Sequence, residues 1–454
     1  MTARELALRV LRDSRHFAWE RLDDALKRTP LSAADRGLAT ELIYGTLRRR
    51  GSLDALLAAH TDRPRHRIAG EVWDLLRLGA YQLVYLSHVP PHAAIFETVE
   101  LAKRHGHPKA AGFVNGVLRG LSRSLTDEAA PGPAANALPL TTGVYRRLTR
   151  PILSDPAAQP VQYIADGLSL PPWLAERWLE RYGWDESLRL GSWFAEPGPL
   201  WIRVNPLRTT RAALRDAFAA AGISAEPGPH PQSLKVAVHV PIRSLPGYAE
   251  GWFTVQDLSA MAAATALSPE PGMTVLDLCA APGGKTSHLA ELMNNTGRIV
   301  ARDVNARRLE TVTELCRRLG VTIVETKNPT PRPPSPLGKE AGGLGFPTFD
   351  AALVDVPCSN TGVLGRRPEV RWRLTPDDLK ELVALQTDLL RTACAAVRPG
   401  GRLVYSTCSI EPEENVAVVR TVLAQLPGWT LAEEHEHRPG RPADGGYWAR
   451  LRLR

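Results

Sequence analysis

No stretch of this chain offers the run of roughly 18 uninterrupted apolar residues that a membrane-crossing helix requires, so a helical membrane span is excluded and no membrane partner is expected. The opening segment, MTARELALRVLRDSRHFAWERL, mixes arginines and acids into its apolar residues. It reads as an amphipathic helix, where a signal peptide would need an unbroken apolar core, and a cytoplasmic location is expected. Cysteine is scarce: five residues, Cys279, Cys316, Cys358, Cys394 and Cys408, all in the last two-fifths of the chain. No two form a Cys-x-x-Cys pair and no His accompanies them at a ligand spacing. That pattern argues against structural zinc and against a disulfide framework, so no metal is expected. Two nucleotide signatures are also missing. Gly284-Lys285-Thr286 matches the end of a Walker A loop, but Cys279 stands where its first glycine belongs, and no Gly-x-Gly-x-x-Gly run is present.

What the chain does have is length for several domains and an excess of basic charge. Its 454 residues exceed one ordinary domain, and 44% hydrophobic with 23% charged residues suits soluble globular cores. A net charge of +8 favours a polyanionic partner, because Lys and Arg on phosphates release counterions. Residues 1–125 carry apolar positions at helical spacing and seven of the twelve histidines, with no acid or nucleophile placed to make those histidines catalytic. The blocks Asp35-Arg36, Glu41 to Arg48, Leu76 to Leu83 and Phe113 to Arg119 give this stretch a resemblance to the NusB-like RNA-binding helical domain. Residues 126–160, rich in Ala and Pro without periodicity, have a linker composition. Residues 161–250 read as a small α/β module, ferredoxin-like or RRM-like. There Arg203 and Asn205 are candidate RNA contacts, with buried polar support of a turn an equally good account.

From 251 to 454, apolar β-branched runs alternate with amphipathic segments, the pattern of a parallel sheet covered on both faces. Strands are expected at Thr274–Leu278, Arg298–Asp303, Val321–Glu325, Ala351–Val356 and Leu403–Thr407. Helices are expected at Lys285–Met293, Ala306–Leu319, Pro376–Val397 and Pro412–Gln425. Residues 328–347, with six prolines and four glycines, interrupt the rhythm as a surface insertion that cannot bury enough apolar side chain to fold alone. Gly283 and Gly284 let the backbone bend after the first strand and approach a ligand at a helix start. Asp303, ending the next strand, is placed to accept from the hydroxyls of a ribose, unless it merely caps a helix.

Three ordered motifs then carry a specific resemblance. Cys279-Ala280-Ala281-Pro282-Gly283-Gly284-Lys285-Thr286, Asp355-Val356-Pro357-Cys358-Ser359 and Ser406-Thr407-Cys408-Ser409 resemble the RsmB/NOL1/NOP2/sun family of RNA cytosine-C5 methyltransferases. With the NusB-like front, the likeness covers nearly the whole chain. It implies a multi-domain protein: an all-α front, a small α/β module and a Rossmann-like α/β domain binding S-adenosylmethionine. It also implies that Cys279 to Lys285, Asp303 and Asp355 contact or flank that cofactor, Lys285 near its methionine carboxylate. The family's acid on the adenine side corresponds to Asn328, which keeps an acceptor but no charge. The family's glycine after Pro-Cys-Ser is Asn360, a residue that also tolerates the left-handed backbone.

Cytosine carbon 5 is too weak a nucleophile to take a methyl group unaided. A thiolate adding to carbon 6 turns the ring into an enamine-like nucleophile. The resemblance implies that Cys408 makes this attack and that Cys358 assists release, while Asp355 is placed to hold the exocyclic amine and ring nitrogen. Cys279, Cys316 and Cys394 read as small buried hydrophobes. Arg366, Arg367 and Arg371, with Trp372 and Arg373, offer phosphate contacts and a stacking face, or else form a solvated loop. The target base must be unstacked to be reached from both sides. The resemblance points to small-subunit rRNA as substrate and to a monomer. Two rivals are an RNA-binding factor with an inactive methyltransferase half, and a DNA cytosine methyltransferase that would attack with the Pro-Cys cysteine.

Overall fold

The computed structural model describes residues 1–12, 18–237, 240–327 and 349–454. Asn328 and the expected insertion at 328–347 lie outside them. The chain divides into two compact units, Met1–Pro197 with Leu364–Arg373, and Gly198–Val363 with Leu374–Arg454.

In the first unit the expected helical front is built from α1 (Ala3–Arg12), α2 (Ala18–Arg28), α3 (Ala33–Arg48), α4 (Arg50–Ala58), α5 (Gly70–Tyr85), α6 (Pro91–Arg104) and α7 (Ala111–Ser124). Their apolar stripes meet in one core around Leu42, Leu56, Trp73, Leu76 and Leu118. The segment expected to be a linker is not one. It forms an antiparallel sheet of β1 (Leu125–Ala130), β2 (Ala137–Thr141) and β3 (Val144–Leu148), in the order β1-β3-β2. Leu138 and Leu148 from this sheet join the helical core. The unit closes with α8 (Pro160–Gly167) and α9 (Pro172–Phe194). By compactness these two helices, which the sequence places with the α/β module, are grouped in the first unit. Ser52 on α4 donates its hydroxyl to the Gly167 carbonyl at 2.8 Å, and its N–H donates to the Ser169 hydroxyl at 3.0 Å.

The second unit begins with a small antiparallel sheet. Its strands are β4 (Leu200–Val204), β5 (Ser224–Pro227), β6 (Ser233–Ala237) and β7 (Phe253–Val255), ordered β5-β6-β4-β7 and covered by α10 (Arg211–Ala220). Ile202 and Val204 point into the α10 side of this layer, with Leu214 and Phe218. The period of two then sends Arg203 to the opposite face.

The larger layer comprises α11 (Leu258–Ala266), β8 (Thr274–Asp277), α12 (Gly284–Leu292), β9 (Arg298–Arg302), α13 (Ala306–Leu319), β10 (Val324–Lys327), β11 (Phe349–Asp355), α14 (Pro376–Ala396), β12 (Val397–Thr407), α15 (Val416–Gln425), β13 (Trp429–His437) and β14 (Gly446–Leu453). Among the described residues these strands form one sheet in the order β10-β9-β8-β11-β12-β14-β13. β10 to β12 pair in parallel, and β14 joins β12 antiparallel. In the central strands β8, β11 and β12 both faces are buried, which is why they read as continuous apolar runs. Val275, Ile299, Leu353 and Val404 pack on the α11–α13 side, while Leu276, Val300, Val354 and Leu403 pack on the α14–α15 side. Helix α14 starts at Pro376 behind a capping box in which Thr375 and Asp378 satisfy each other's backbone N–H. Helix α15 starts at Val416, four residues later than Pro412 and its acidic followers suggest. Residues 411–415 turn instead, with Glu414 N–H on the Glu411 carbonyl and Asn415 N–H on the Pro412 carbonyl.

Candidate active site

The carboxyl ends of β8, β9, β11 and β12 bring the motif residues to one edge of the parallel sheet. After β8 the chain turns through Cys279 to Gly283, and Gly283 adopts φ +103. A Cβ there would lie 3.1 Å from the Val312 backbone, so both conformation and space require glycine. At the floor of this turn Asp277 is buried, with Thr286 Oγ1 donating to its Oδ2 at 2.7 Å. Its Oδ1 has no partner among the described residues. Burial pushes its carboxyl up to about 7, the Thr286 hydrogen bond opposing and nearby Asp355 adding to the shift.

Asp303 follows β9 and is 4% exposed, accepting from the Asn305 N–H at 3.0 Å and the Ala281 N–H at 3.3 Å. Asp303 does not cap the following helix; Asn305 does, accepting from Arg307 and Arg308. The neighbouring Val304 is 86% exposed, an apolar face with nothing over it among the described residues.

S-adenosylmethionine fits this edge. The unpartnered Asp277 oxygen is an acceptor suited to a cationic amine. Gly283 permits close approach of a ligand to backbone, Asp303 is fixed in place with acceptor capacity left, and Val304 offers an apolar surface. Asp277 and Val304 were not singled out from the sequence. Asp277 is hidden inside an apolar strand, and only its solitary acid among Val275, Leu276 and Leu278 signals it.

Lys285 extends from the start of α12 to Asp355, Nζ to Oδ2 at 2.7 Å, and Ser406 Oγ donates to the other Asp355 oxygen at 2.8 Å. Burial works against the lysine charge, but the facing Asp355 carboxylate outweighs it and raises the Lys285 pKa. Cys408 contributes in the same direction, so the ammonium also acts on that sulfur.

Cys358, just past β11, and Cys408, just past β12, face each other with sulfurs 3.0 Å apart. Cys358 is buried and Cys408 partly exposed. The hydrogen bond to Cys408, then burial, then the negative charges of Cys408 and Glu414 push the Cys358 thiol well up. Of the pair, Cys358 is the one whose proton is held, and Cys408 is the more exposed sulfur. The two turns are stitched together: Gly362 N–H to the Cys408 carbonyl at 3.0 Å, and Ile410 N–H to Thr361 Oγ1 at 3.1 Å. Asn360 takes the left-handed backbone at φ +58, donates to the Cys358 carbonyl at 2.7 Å, and accepts from Cys408 Sγ at 3.3 Å. The other three thiols are pushed up mainly by burial: Cys316 and Cys394 to about 12, and Cys279 likewise upward with Asp277 adding to the shift.

Three of the expected RNA contacts are corrected by their burial. Arg203 is fully buried and ion-pairs with Glu291 at 2.8 Å. It also donates to Gln256, to the Gly284 carbonyl at 2.7 Å and to Ser287 at 2.9 Å. Asn205 is fully buried and supports a turn, donating to the Gly251 and Leu319 carbonyls at 2.8 Å each. Arg371, within the first unit, is fully buried and donates to the carbonyls of Ser169 at 3.1 Å, Phe194 at 2.8 Å and Leu364 at 2.9 Å. Burial first, then Arg48 and Arg49, push its guanidinium down to about 9. Trp372 donates its indole N–H to the Leu47 carbonyl at 2.9 Å, and Arg50 stacks on its ring. Of the basic run, Arg367 is exposed and Arg366 partly so.

Comparison with known proteins agrees with this arrangement along the chain. Residues 1–123 match the NusB family, residues 170–243 the ferredoxin-like domain of RsmF/B-like methyltransferases, and residues 264–445 the 16S rRNA methyltransferase RsmB/F model. A probable ribosomal RNA small subunit methyltransferase B of Synechocystis is 36% identical over 439 residues, covering 94% of this chain and 90% of that protein. A protein of the same description from Bacillus subtilis is 35% identical over 406 residues, covering 89% and 84%. In fold, the crystal structure of PH0851 superposes with a TM-score of 0.77 at 24% identity, covering 99% of this chain and 98% of that one. The chain belongs to the RsmB family of S-adenosylmethionine-dependent rRNA methyltransferases.

Proposed function

We propose that this protein methylates carbon 5 of a cytosine in 16S rRNA through a covalent adduct between Cys408 and carbon 6 of the base. The observation that carries the reading is the thiol pair, with sulfurs 3.0 Å apart, Cys358 buried and Cys408 partly exposed. A lone activated cysteine would serve attack only; a second thiol at contact distance serves a reaction that must also undo its own adduct.

Asp277, Gly283, Asp303 and Val304 are the residues to hold S-adenosylmethionine, with Asn328 a further candidate on the adenine side. When bound, that cofactor supplies an electrophilic methyl group on a sulfonium. The residues of this chain do the rest. Cys408, partly exposed and beside the Lys285 ammonium, adds as thiolate to carbon 6 and pushes electron density to carbon 5. Asp355, fixed by Lys285 and Ser406, orients the ring by accepting from its exocyclic amine. After methylation, carbon 5 must lose its proton before the carbon–sulfur bond breaks. The largest cause of the high Cys358 pKa is its hydrogen bond to Cys408. Once the Cys408 sulfur is bonded to carbon 6, that cause is gone, and Cys358 becomes easier to ionise at the step that needs a base. The NusB-like front and the Arg366–Arg367 pair supply RNA contacts. The names of the relatives support small-subunit rRNA as the substrate.

The test is transfer of labelled methyl from S-adenosylmethionine to a 16S transcript, followed by digestion to nucleosides and mass spectrometry. Label in 5-methylcytidine supports the proposal. Label in any other nucleoside, or in DNA, overturns it.

A further inference from the structure

Glu414 lies in the turn that replaces the expected start of α15, and it is fully buried. Four donors converge on its carboxylate. The Ser359 N–H reaches Oε1 at 2.8 Å and Gln386 Nε2 reaches the same oxygen at 2.9 Å. The hydroxyls of Ser359 and Ser409 both donate to Oε2. Ser359 follows Cys358 in the chain, and Ser409 follows Cys408. One carboxylate therefore holds the residue after each cysteine. Gln386, on α14, also donates to the Pro357 carbonyl at 2.9 Å, just ahead of Cys358. Tyr405 anchors Glu414 itself, its hydroxyl donating to the Glu414 carbonyl at 2.5 Å.

We infer that Glu414 is a positioning residue for the proposed reaction: its carboxylate ties the Cys358 turn to the Cys408 turn and sets the spacing of the two sulfurs. The inference rests on the proposed roles of those thiols in methyl transfer. An ionised carboxylate has about four acceptor sites and no donor, and here every site is met by a group from the two cysteine turns or from the helix behind them. A buried carboxylate satisfied in this way holds its donors rigidly, and the hold is lost when the carboxylate is removed. A neutral side chain of the same shape would have to point its own N–H at one of the existing donors. The carboxylate has a second effect. Its negative charge is among the causes that keep the proton on Cys358. Tyr405, held protonated by burial, and Lys285, acting through Cys408, also act on this pair.

The experiment uses the full chain without RNA. Iodoacetamide alkylation is followed across a pH series, with each cysteine resolved by mass spectrometry, in wild type, Glu414→Gln and the Ser359→Ala/Ser409→Ala pair. In wild type, Cys408 reacts first near neutral pH and Cys358 is protected. Glu414→Gln lowers the ratio of Cys408 to Cys358 alkylation by about tenfold, equivalent to one unit of pKa difference, and moves the Cys358 midpoint to lower pH. The serine pair lowers the ratio while keeping the Cys358 midpoint high, because the charge remains. A merely structural role would not separate ratio from midpoint in this way. If both variants melt as wild type and keep its ratio and midpoints, the inference is wrong. Should Glu414→Gln fail to fold, the serine pair decides alone: an unchanged ratio overturns the inference. A wild type that transfers no methyl to cytosine but shows these shifts would sink the proposed function and leave the role of Glu414 in the thiol spacing standing.

Discussion

Replacing Arg203 by methionine separates a structural arginine from an RNA-binding one. The guanidinium is 0% exposed and makes hydrogen bonds to Glu291, Gln256, Ser287 and the Gly284 carbonyl. Methionine keeps much of the volume and leaves Glu291 buried without its cation. Breaking a buried pair in this way costs about 3–5 kcal/mol. For a unit of this size that is a fall of roughly 6–20 °C in melting temperature, at about 2–4 °C per kcal/mol. The loss depends on pH. Glu291 is already raised by burial, with Arg203 and Gln232 pulling it back down. Removing Arg203 raises it further. A raised carboxyl favours the folded state below its unfolded value, near 4.5, and that contribution is lost as pH rises through the folded value. The deficit of Arg203→Met relative to wild type should therefore be smallest in mild acid and grow toward alkaline pH. Adding Glu291→Gln should recover most of the deficit at neutral pH. Melting followed by circular dichroism across a pH series reads all three outcomes. An Arg203→Met protein that melts like wild type, yet binds RNA more weakly with a shallower salt dependence, would refute the reasoning.

Asp277→Asn should weaken S-adenosylmethionine binding by roughly ten- to a hundredfold, the worth of about 1.5–3 kcal/mol for a charged hydrogen bond. Calorimetry should also show wild-type affinity strengthening as pH rises through about 7, where Asp277 ionises, with the variant flat. Arg366→Ala/Arg367→Ala should make the salt dependence of RNA binding shallower by about 1.4 in log–log slope, two phosphate contacts at roughly 0.7 each. Arg371→Ala should instead destabilise the fold by about 2–4 kcal/mol, since it strands several buried carbonyls, as denaturant unfolding will report. Replacing residues 330–345 by a short Gly/Ser linker should change stability by less than about 1 kcal/mol and preserve methyl transfer, as its proline and glycine content implies.

The parallel sheet was legible because its central strands bury both faces. Val275 and Leu276 lie on opposite sides and are both apolar, so the run shows in one dimension. Helix α13 begins and ends at Ala306 and Leu319, where an Asn cap and a following glycine mark its limits. The β1–β3 sheet was not legible. It covers the front core with little more than Ala137, Leu138, Tyr145 and Leu148, so its strands stay polar and Pro/Ala-rich and carry no alternation long enough to read. Arg203 sits between two core residues at strand spacing, and nothing local says that α12 lies on its other side. Arg371 reaches carbonyls 202 and 177 positions away, which no window of sequence contains. The Pro412-Glu413-Glu414 signal has the composition of a helix start, but tertiary hydrogen bonds to Glu414 take precedence over it. At the site itself, the thiols and the glycine turn were legible through their motifs. Asp277 and Glu414 were not, because their roles come from burial and from partners on other elements.

The most direct test of the account compares Cys408→Ser and Cys358→Ala for a denaturation-resistant complex with a 16S transcript in the presence of S-adenosylmethionine. A serine hydroxyl is barely ionised near neutral pH and cannot replace the thiolate, so Cys408→Ser should give neither adduct nor methylated cytosine. Cys358→Ala should still attack and methylate but release slowly, so a shifted protein–RNA band should accumulate on a denaturing gel. An adduct that builds up in Cys408→Ser and vanishes in Cys358→Ala would exchange the two roles and contradict the account.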